Sequence, residues 1–138
     1  MSYISEKANV YDSAIIGKNV SIGAFAEIGH EVEVGNNVKI GCGVFIPENV
    51  IIEDNVFIGP HAVFTNDKNP PSHGKWREEE PTIVQEGASV GANSTILPNL
   101  TLGKNCKVGA GSVVTKDVKP NTLVYGVPAK ESKKCFYI

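Results

Sequence analysis

The sequence predicts an all-β fold, a three-sided solenoid made of very short strands. An aliphatic residue recurs at every sixth position over most of the 138 residues, and glycine or asparagine recurs at fixed positions between them. A strand of a few residues followed by a tight corner, repeated with a period of six, closes one three-sided coil in about eighteen residues. We therefore expect one β-solenoid domain over residues 1–138.

The aliphatic series defines the strands. A small or β-branched residue stands two positions before nearly every member, and strand side chains alternate with period two, so both are expected to point into the core. Coils are therefore expected over 4–63 and 84–119, a little over five in total. The aliphatic members are Ile4, Val10, Ile16, Ile22, Ile28, Val34, Ile40, Ile46, Ile52, Ile58, Val84, Val90, Ile96, Leu102, Val108 and Val114, and the aromatic Phe64 stands on the next six-residue step after Ile58.

The corners need residues that tolerate a positive φ angle, and the sequence supplies them. Glycine often follows the aliphatic residue, and a second turn residue follows two positions later. These second positions hold Asn19, Asn37, Asn49, Asn55, Asn93, Asn99 and Asn105, with Gly43, Gly87 and Gly111 as substitutes. The non-repeating residues 120–138 are expected to cap one end of the solenoid, with at most a short helix there.

The repeat is interrupted between Phe64 and Val84, which lie twenty positions apart rather than the eighteen of a whole coil. We expect a loop over 65–83. It contains the only Trp of the chain, and a long loop without secondary structure is usually functional or disordered. A purely decorative surface loop is the alternative.

Composition excludes several classes of function. The net charge of −2 gives no basic face for nucleic acid, and no apolar run is long enough to span a bilayer. The amino terminus lacks a basic region followed by an apolar segment, so we expect a cytoplasmic protein. The three cysteines, Cys42, Cys106 and Cys135, are expected to be reduced thiols rather than a disulfide frame or a zinc site.

The segments "IGKNVSIGAFAEIG", "VGANSTILPNLTLGKNCKVGAGSVVTKDV" and "GVPAK" resemble the hexapeptide-repeat acyltransferases, and the resemblance extends from Ile4 to Lys130. It implies a left-handed parallel β-helix, acetyl-CoA as co-substrate without a metal, and a homotrimer with active sites between subunits. The loop segments "FTND", "NPPS" and "EEPTIVQEG" resemble more closely the bacterial N-acetyltransferases that act on nucleotide-linked 3-amino sugars for surface polysaccharide biosynthesis. In that group the loop helps to enclose the nucleotide sugar.

Acetyl transfer to an amine needs an unprotonated nitrogen, a thioester within reach and donors for the oxyanion. The resemblance implies that Asn66 positions the amine and that Asp67 binds the sugar, while Trp76 is expected to pack against substrate or a neighbouring subunit. His61 occupies a corner position next to the loop and is the best-placed histidine for a general base. Asn66 as a plain turn residue and His61 as a plain corner residue are the alternatives.

Coenzyme A in the resembled family lies along the last coils, against backbone groups and near basic side chains. By resemblance this points to Gly91 and Ala92, to Gly109 and Ala110, and to Lys116 and Lys130.

Three other functions stay open. A γ-class carbonic anhydrase needs three histidines around zinc, but His30, His61 and His73 are widely scattered. Transfer to a sugar hydroxyl would require His61 as a base, because an alcohol is a weaker nucleophile than an amine. A non-catalytic scaffold is the third. The sugar and the nucleotide stay open.

Overall fold

A computed structural model describes residues 1–76 and 79–132, and all regular structure in those ranges is β-strand. Residues 120–132 contain no helix, and two strands lie there instead. The strands are β1 (Tyr3–Ile4), β2 (Asn9–Val10), β3 (Ile15–Ile16), β4 (Ser21–Ile22), β5 (Glu27–Ile28), β6 (Glu33–Val34), β7 (Lys39–Ile40), β8 (Phe45–Ile46), β9 (Val50–Ile52), β10 (Phe57–Ile58), β11 (Val63–Phe64), β12 (Thr82–Val84), β13 (Ser89–Val90), β14 (Thr95–Ile96), β15 (Thr101–Leu102), β16 (Lys107–Val108), β17 (Val113–Val114), β18 (Leu123–Gly126) and β19 (Ala129–Glu131).

Three parallel sheets form the faces of the prism. The first face contains β1, β4, β7, β10, β13, β16 and β18, with β19 added antiparallel at its end. The second face contains β2, β5, β8, β11, β14 and β17, and the third contains β3, β6, β9, β12 and β15. Regular neighbours pair with residues eighteen positions away, as Ile4 does with Ile22.

The aliphatic series lies inside, as expected. Ile22, Ile40 and Val108 are at most 2% exposed. The first coil differs, since Ile4 is 44% exposed, because this coil packs against a neighbour on one side only. Phe64, on the six-residue step after Ile58 but just beyond the expected coil 4–63, is fully buried, and it is the largest fully buried side chain among the described residues.

The structure contains about one coil more than the periodicity alone indicated. Phe64 supplies an additional core position, and Val118 forms an isolated parallel bridge with Leu102 that extends the third face. Val118 and Val124 are both buried, so the last coil is closed by residues from the start of the expected cap. Residues 133–138 of that cap, Cys135 among them, lie outside the described residues.

The corners stack into three edges, and every edge contains residues with positive φ. The first edge joins the first face to the second and holds Phe25, Gly43, His61, Asn93 and Gly111. The second edge joins the second face to the third and holds Glu31, Asn49 and Asn99. The third edge returns to the first face and holds Asn19, Asn37, Asn55, Gly87, Asn105 and Asn121.

Candidate functional site

The loop replaces a single corner on the second edge. It leaves the prism after β11 and returns at β12, so it covers residues 65–81, and Thr82 and Ile83 belong to the returning strand. Val84 pairs with Ile52, 32 positions earlier, where regular partners are eighteen apart. The prism therefore continues past the loop in register, with no whole coil opened.

Two corner asparagines hold the returning end of the loop. Asn49, in the coil before the loop, donates from Nδ2 to the backbone carbonyl of Glu79 at 2.9 Å. Asn99, in the coil after it, donates from Nδ2 to the carbonyl of Glu80, and its backbone N–H donates to Thr82 Oγ1 at 2.9 Å. The second edge is thus bridged across the interruption by side chains from both neighbouring coils.

Asn66 lies at the outgoing end of the loop and is half-buried. Its Nδ2 donates to the backbone carbonyl of Glu48 at 3.1 Å, and its own carbonyl accepts a hydrogen bond from Trp76 Nε1 at 2.8 Å. The structure thus brings Asn66 and Trp76 together. The indole N–H is directed at the chain's own backbone, a contact that sequence reasoning missed because the residues are ten positions apart in a segment without periodicity.

Asp67 stabilises the local turn of the loop. Its Oδ1 accepts a hydrogen bond from the backbone N–H of Asn69 at 2.9 Å, an Asx-turn arrangement. The next residue, Lys68, lies 3.6 Å from Glu79 between Nζ and Oε2, with both side chains about half exposed. That ion pair adds little stability, so the loop is held mainly by its backbone and amide hydrogen bonds.

His61 lies on the first edge, with a φ of 60°, and its ring occupies the space that Gly43 leaves by lacking a side chain. It is separated from Asn66 by the whole of β11, and five extended residues span up to about 17 Å. The structure therefore does not bring the two expected catalytic residues together within one chain. His61 stands at the far end of the strand that leads into the loop.

The other two histidines lie elsewhere. His30 is on the second edge, with Nδ1 3.3 Å from Ser13 Oγ and its ring packed edge-on against Tyr11. His73 is exposed within the loop. Within residues 1–76 and 79–132, no three His, Cys, Asp or Glu side chains are grouped so that they could hold a metal ion.

A groove of about 440 Å³ runs along the first face beside the first edge. Gly91, Ala92 and Ala110, three of the residues expected to contact coenzyme A, line it. The sequence did not single out the side chains that complete the wall, because each occupies an ordinary outward or corner position. These are Phe57, Pro60, Ser89 and Lys107, while Gly59 and the backbone of the buried Val90 complete the lining.

The groove presents two unused backbone donors. Within the described part of the chain, the N–H groups of Ala92 and Ala110 donate no hydrogen bond to another residue. A Cβ on Gly59 would lie 2.6 Å from Ala92 N, and one on Gly91 would lie 2.5 Å from Ala110 N. Glycine at these positions allows the coils to stack closely and leaves the two N–H groups uncovered.

The remaining residues expected to bind coenzyme A lie elsewhere. Gly109 is buried, with the Cβ of Tyr125 so near that an added Cβ would be 2.8 Å from it. Lys116 and Lys130 line a separate depression of about 420 Å³ at the carboxyl end of the prism, together with Lys119. The expected residues therefore do not form one site, because three line the groove on the first face, two line the depression at the carboxyl end, and Gly109 lines neither.

An acidic groove of about 450 Å³ lies on the third face near the loop. It is lined by Glu31, Glu33, Glu48 and Glu79, together with Asn49. Like charges repel, so this face is unsuited to the phosphates of a nucleotide or of coenzyme A.

The two described cysteines are free thiols. Cys42 is exposed on the first edge, whereas Cys106 is buried in the core at a position in the small-residue series. Burial raises the pKa of the Cys106 thiol to about 11, so this thiol stays protonated and unreactive at neutral pH.

Comparison with known proteins identifies the family. Residues 13–48, 31–66 and 81–116 match the family described as bacterial transferase hexapeptide (six repeats), and these segments cover more than half of the chain. The chain belongs to this family. The fold is accordingly a left-handed parallel β-helix.

Among curated relatives, the chain is 53% identical over 49 residues to dTDP-3-amino-3,6-dideoxy-alpha-D-galactopyranose 3-N-acetyltransferase of Aneurinibacillus thermoaerophilus, which covers 36% of the chain and 26% of that protein. It is 38% identical over 77 residues to 2,3,4,5-tetrahydropyridine-2,6-dicarboxylate N-acetyltransferase of Staphylococcus aureus, covering 56% of the chain and 30% of the relative. The matched segments thus span less than a third of these relatives.

Solved structures match over almost the whole chain. A histidine-to-alanine variant of GDP-perosamine N-acetyl transferase from Caulobacter crescentus, in complex with CoA and GDP-perosamine, has a TM-score of 0.84 at 25% identity and covers 96% of this chain and 57% of that one. An aspartate-to-alanine variant of AntD, an N-acyltransferase from Bacillus cereus in complex with dTDP and coenzyme A, has a TM-score of 0.81 at 25% identity, covering 94% and 78%. The described ranges contain no helix that is both long and apolar enough to cross a membrane.

Proposed function

We propose that this chain is an acetyl-CoA-dependent N-acetyltransferase that acts on the amino group of a nucleotide-linked amino sugar. The observation that carries the proposal is the likeness, over 96% of the chain, to an N-acetyltransferase solved with CoA and GDP-perosamine. The loop on the second edge, with Asn66 at its base, supports it from within the chain.

The groove on the first face is the proposed site for the pantetheine arm of acetyl-CoA. Its free N–H groups at Ala92 and Ala110 suit the amide carbonyls of pantetheine, and the exposed ring of Phe57 offers apolar contact to the stem. Lys107 lies at the same groove and suits a phosphate. Lys116 and Lys130 would contact the phosphates at the nucleotide end of coenzyme A only if the cofactor extends from the groove around the carboxyl end of the prism.

The proposed reaction is direct attack by the neutral amine on the thioester carbonyl carbon. A C–N bond forms, the C–S bond breaks, and the departing thiolate takes up the proton that the new ammonium loses. The attacking nitrogen must approach within about 3.5 Å of the carbonyl carbon. His61 is assigned the assisting role of a proton acceptor, which an amine with enough free base does not require.

The geometry of one chain supports a site shared between copies. The proposed coenzyme A groove lies beside the first edge, whereas Asn66 lies on the second edge, across the second face. One chain cannot place both against the same thioester. We therefore include in the proposal a homotrimer in which the first edge of one subunit faces the second edge of the next.

The pathway completes the proposal. Amino nucleotide sugars are building blocks of surface polysaccharides, so the product is assigned to that biosynthesis. Acetyl-CoA and nucleotide sugars are cytoplasmic metabolites, which assigns the reaction to the cytoplasm.

The direct test is an assay of purified protein with acetyl-CoA and a panel of nucleotide sugars, in which mass spectrometry detects a single added acetyl group. We expect acetylation of an amino sugar and none of the matched sugar with a hydroxyl in place of the amine. Acetylation of the hydroxyl sugar would favour O-acetyl transfer, and His61→Asn would then abolish it. For N-acetyl transfer, His61→Asn should fold normally and keep most activity, since asparagine is common at such corners.

Subunit complementation tests the shared site. Asn66→Ala damages only the amine side, and Ala92→Pro damages only the coenzyme A side. At acetyl-CoA concentrations well below KM, where the defect of Ala92→Pro lowers the rate, random mixing of the two variants should restore intact sites to about a quarter of the total if each site uses two chains. Mixed assemblies no more active than the separate variants, or a fully active monomer by light scattering, would contradict the assembly.

A further inference from the structure

The orientation of the Asn66 amide is dictated by its neighbour. Nδ2 lies 3.1 Å from the backbone carbonyl oxygen of Glu48, and a carbonyl oxygen can only accept a hydrogen bond. The NH₂ group must therefore face Glu48, and Oδ1 must face the other way. No donor in residues 1–76 or 79–132 reaches Oδ1. This half-buried residue thus presents one unused group, and that group is an acceptor.

The backbone of Asn66 is held as firmly as its side chain. Thr65, directly before it, uses both its N–H and its Oγ1 to donate to the carbonyl of Ile96, each at 3.0 Å. The carbonyl of Asn66 itself accepts the indole N–H of Trp76 at 2.8 Å. Trp76, in the later part of the loop, is therefore hydrogen-bonded to the start of the loop at Asn66, the residue whose Oδ1 is a free acceptor.

We propose that Trp76 is a positioning residue that fixes the Asn66 backbone, and with it the direction of the free Oδ1, rather than a surface on which the sugar stacks. This inference rests on the proposed N-acetyl transfer. A neutral amine donates one N–H to Oδ1, which directs its lone pair away from Asn66 and toward the thioester. A side-chain amide cannot take up the proton. The rate therefore rises with pH along the titration of the substrate amine itself.

Two substitutions of Trp76 separate the two possible roles. Trp76→Phe keeps an aromatic face and removes only the N–H donor, whereas Trp76→Leu removes both. If Trp76 positions Asn66, Phe should already lower kcat about five- to tenfold, the value of one hydrogen bond, with KM for both substrates nearly unchanged. If the ring stacks on the sugar, Phe should keep most activity and Leu should raise KM for the nucleotide sugar, which would overturn the proposal.

A second pair of substitutions tests the acceptor. Asn66→Asp keeps the size but loses the donor, so a carboxylate oxygen would face the carbonyl of Glu48 and be repelled by it. We expect Asn66→Asp to lose as much turnover as Asn66→Ala, at least tenfold, while the exposed Asn69→Ala on the same loop serves as the control with unchanged activity. An Asn66→Asp variant with most of its turnover would show that the Glu48 contact does not orient the side chain.

A measurement without substrate keeps the inference separate from the proposed function. Trp76 is the only tryptophan, so protein labelled with ¹⁵N-tryptophan gives a single indole N–H resonance. We expect its proton to exchange with water more slowly than that of free tryptophan, since it is hydrogen-bonded to Asn66. Exchange as fast as free tryptophan would overturn the positioning role even if the enzyme is active. Failure of every amino sugar as substrate, with a protected indole, would instead overturn the proposed function.

Discussion

Replacing Phe64 with alanine should be the most destabilising single change in the core. The ring is fully buried, and the core positions around it in the same coil include the short side chains of Ala62 and Thr82. Such short side chains cannot reach into the space that the ring would vacate. Loss of a buried Phe costs about 3–5 kcal/mol, and we expect the upper half of that range because the cavity cannot collapse.

The assay is urea unfolding at one fixed chain concentration, followed by far-UV circular dichroism. Phe64→Leu is the matched control, because it keeps most of the apolar volume and should cost less than about 1.5 kcal/mol. Fluorescence of Trp76 should follow the same transition, since Phe64 directly precedes the loop base. A loss below about 1 kcal/mol for the alanine variant would refute the inference that Phe64 fills the centre of this coil.

Three further outcomes are expected. Ala92→Pro removes one N–H from the groove at a corner where Pro60 stands in the preceding coil, so it should raise KM for acetyl-CoA about five- to tenfold without lowering Tm; an unchanged KM would exclude this donor. Asn49→Gly keeps the positive φ but removes the bond to the loop, so proteolysis within the loop should accelerate, whereas Asn37→Gly on the third edge should leave it unchanged. The buried Cys106 has a folded pKa of about 11, above its ordinary 9.0, so the thiol supports stability below pH 9 and loses that contribution as pH rises toward 11; the difference in unfolding free energy between wild type and Cys106→Ala should fall by up to about 2.7 kcal/mol across that window, and a constant difference would contradict it.

The regular part of the prism was predictable because its determinants are local. A six-residue period specifies strand, corner and core-facing position within a few neighbouring residues, and the positive φ at Asn37 or Asn55 follows from residue type. Phe64 stands on the six-residue step after Ile58 but is aromatic, so an aliphatic pattern alone does not assign it to the core, although burial depends on the face that a side chain occupies and not on its class. The burial of Thr82 was not predicted for a similar reason, because it is a polar residue at a core position of the strand that follows the loop.

The site was harder to predict because its contacts cross between coils. Asn66 meets Glu48, eighteen positions earlier, only because one complete coil separates them. His61 and Asn66 are five residues apart in sequence, which suggested a joint role, yet a prism places the two ends of a strand on different edges. Residues that are close in sequence can therefore lie on different edges of the prism, far apart in space.

The way the loop is attached has a consequence for how such enzymes diversify. The side chains of Asn49 and Asn99 bind backbone carbonyls of the loop, a chemical group that every amino acid possesses. These hydrogen bonds therefore hold any segment that returns at this edge, whatever its amino-acid sequence. Inserts of other lengths and compositions can be exchanged here during evolution without altering the pairing of later coils, so a lineage can acquire a different loop while the groove on the first face stays unchanged.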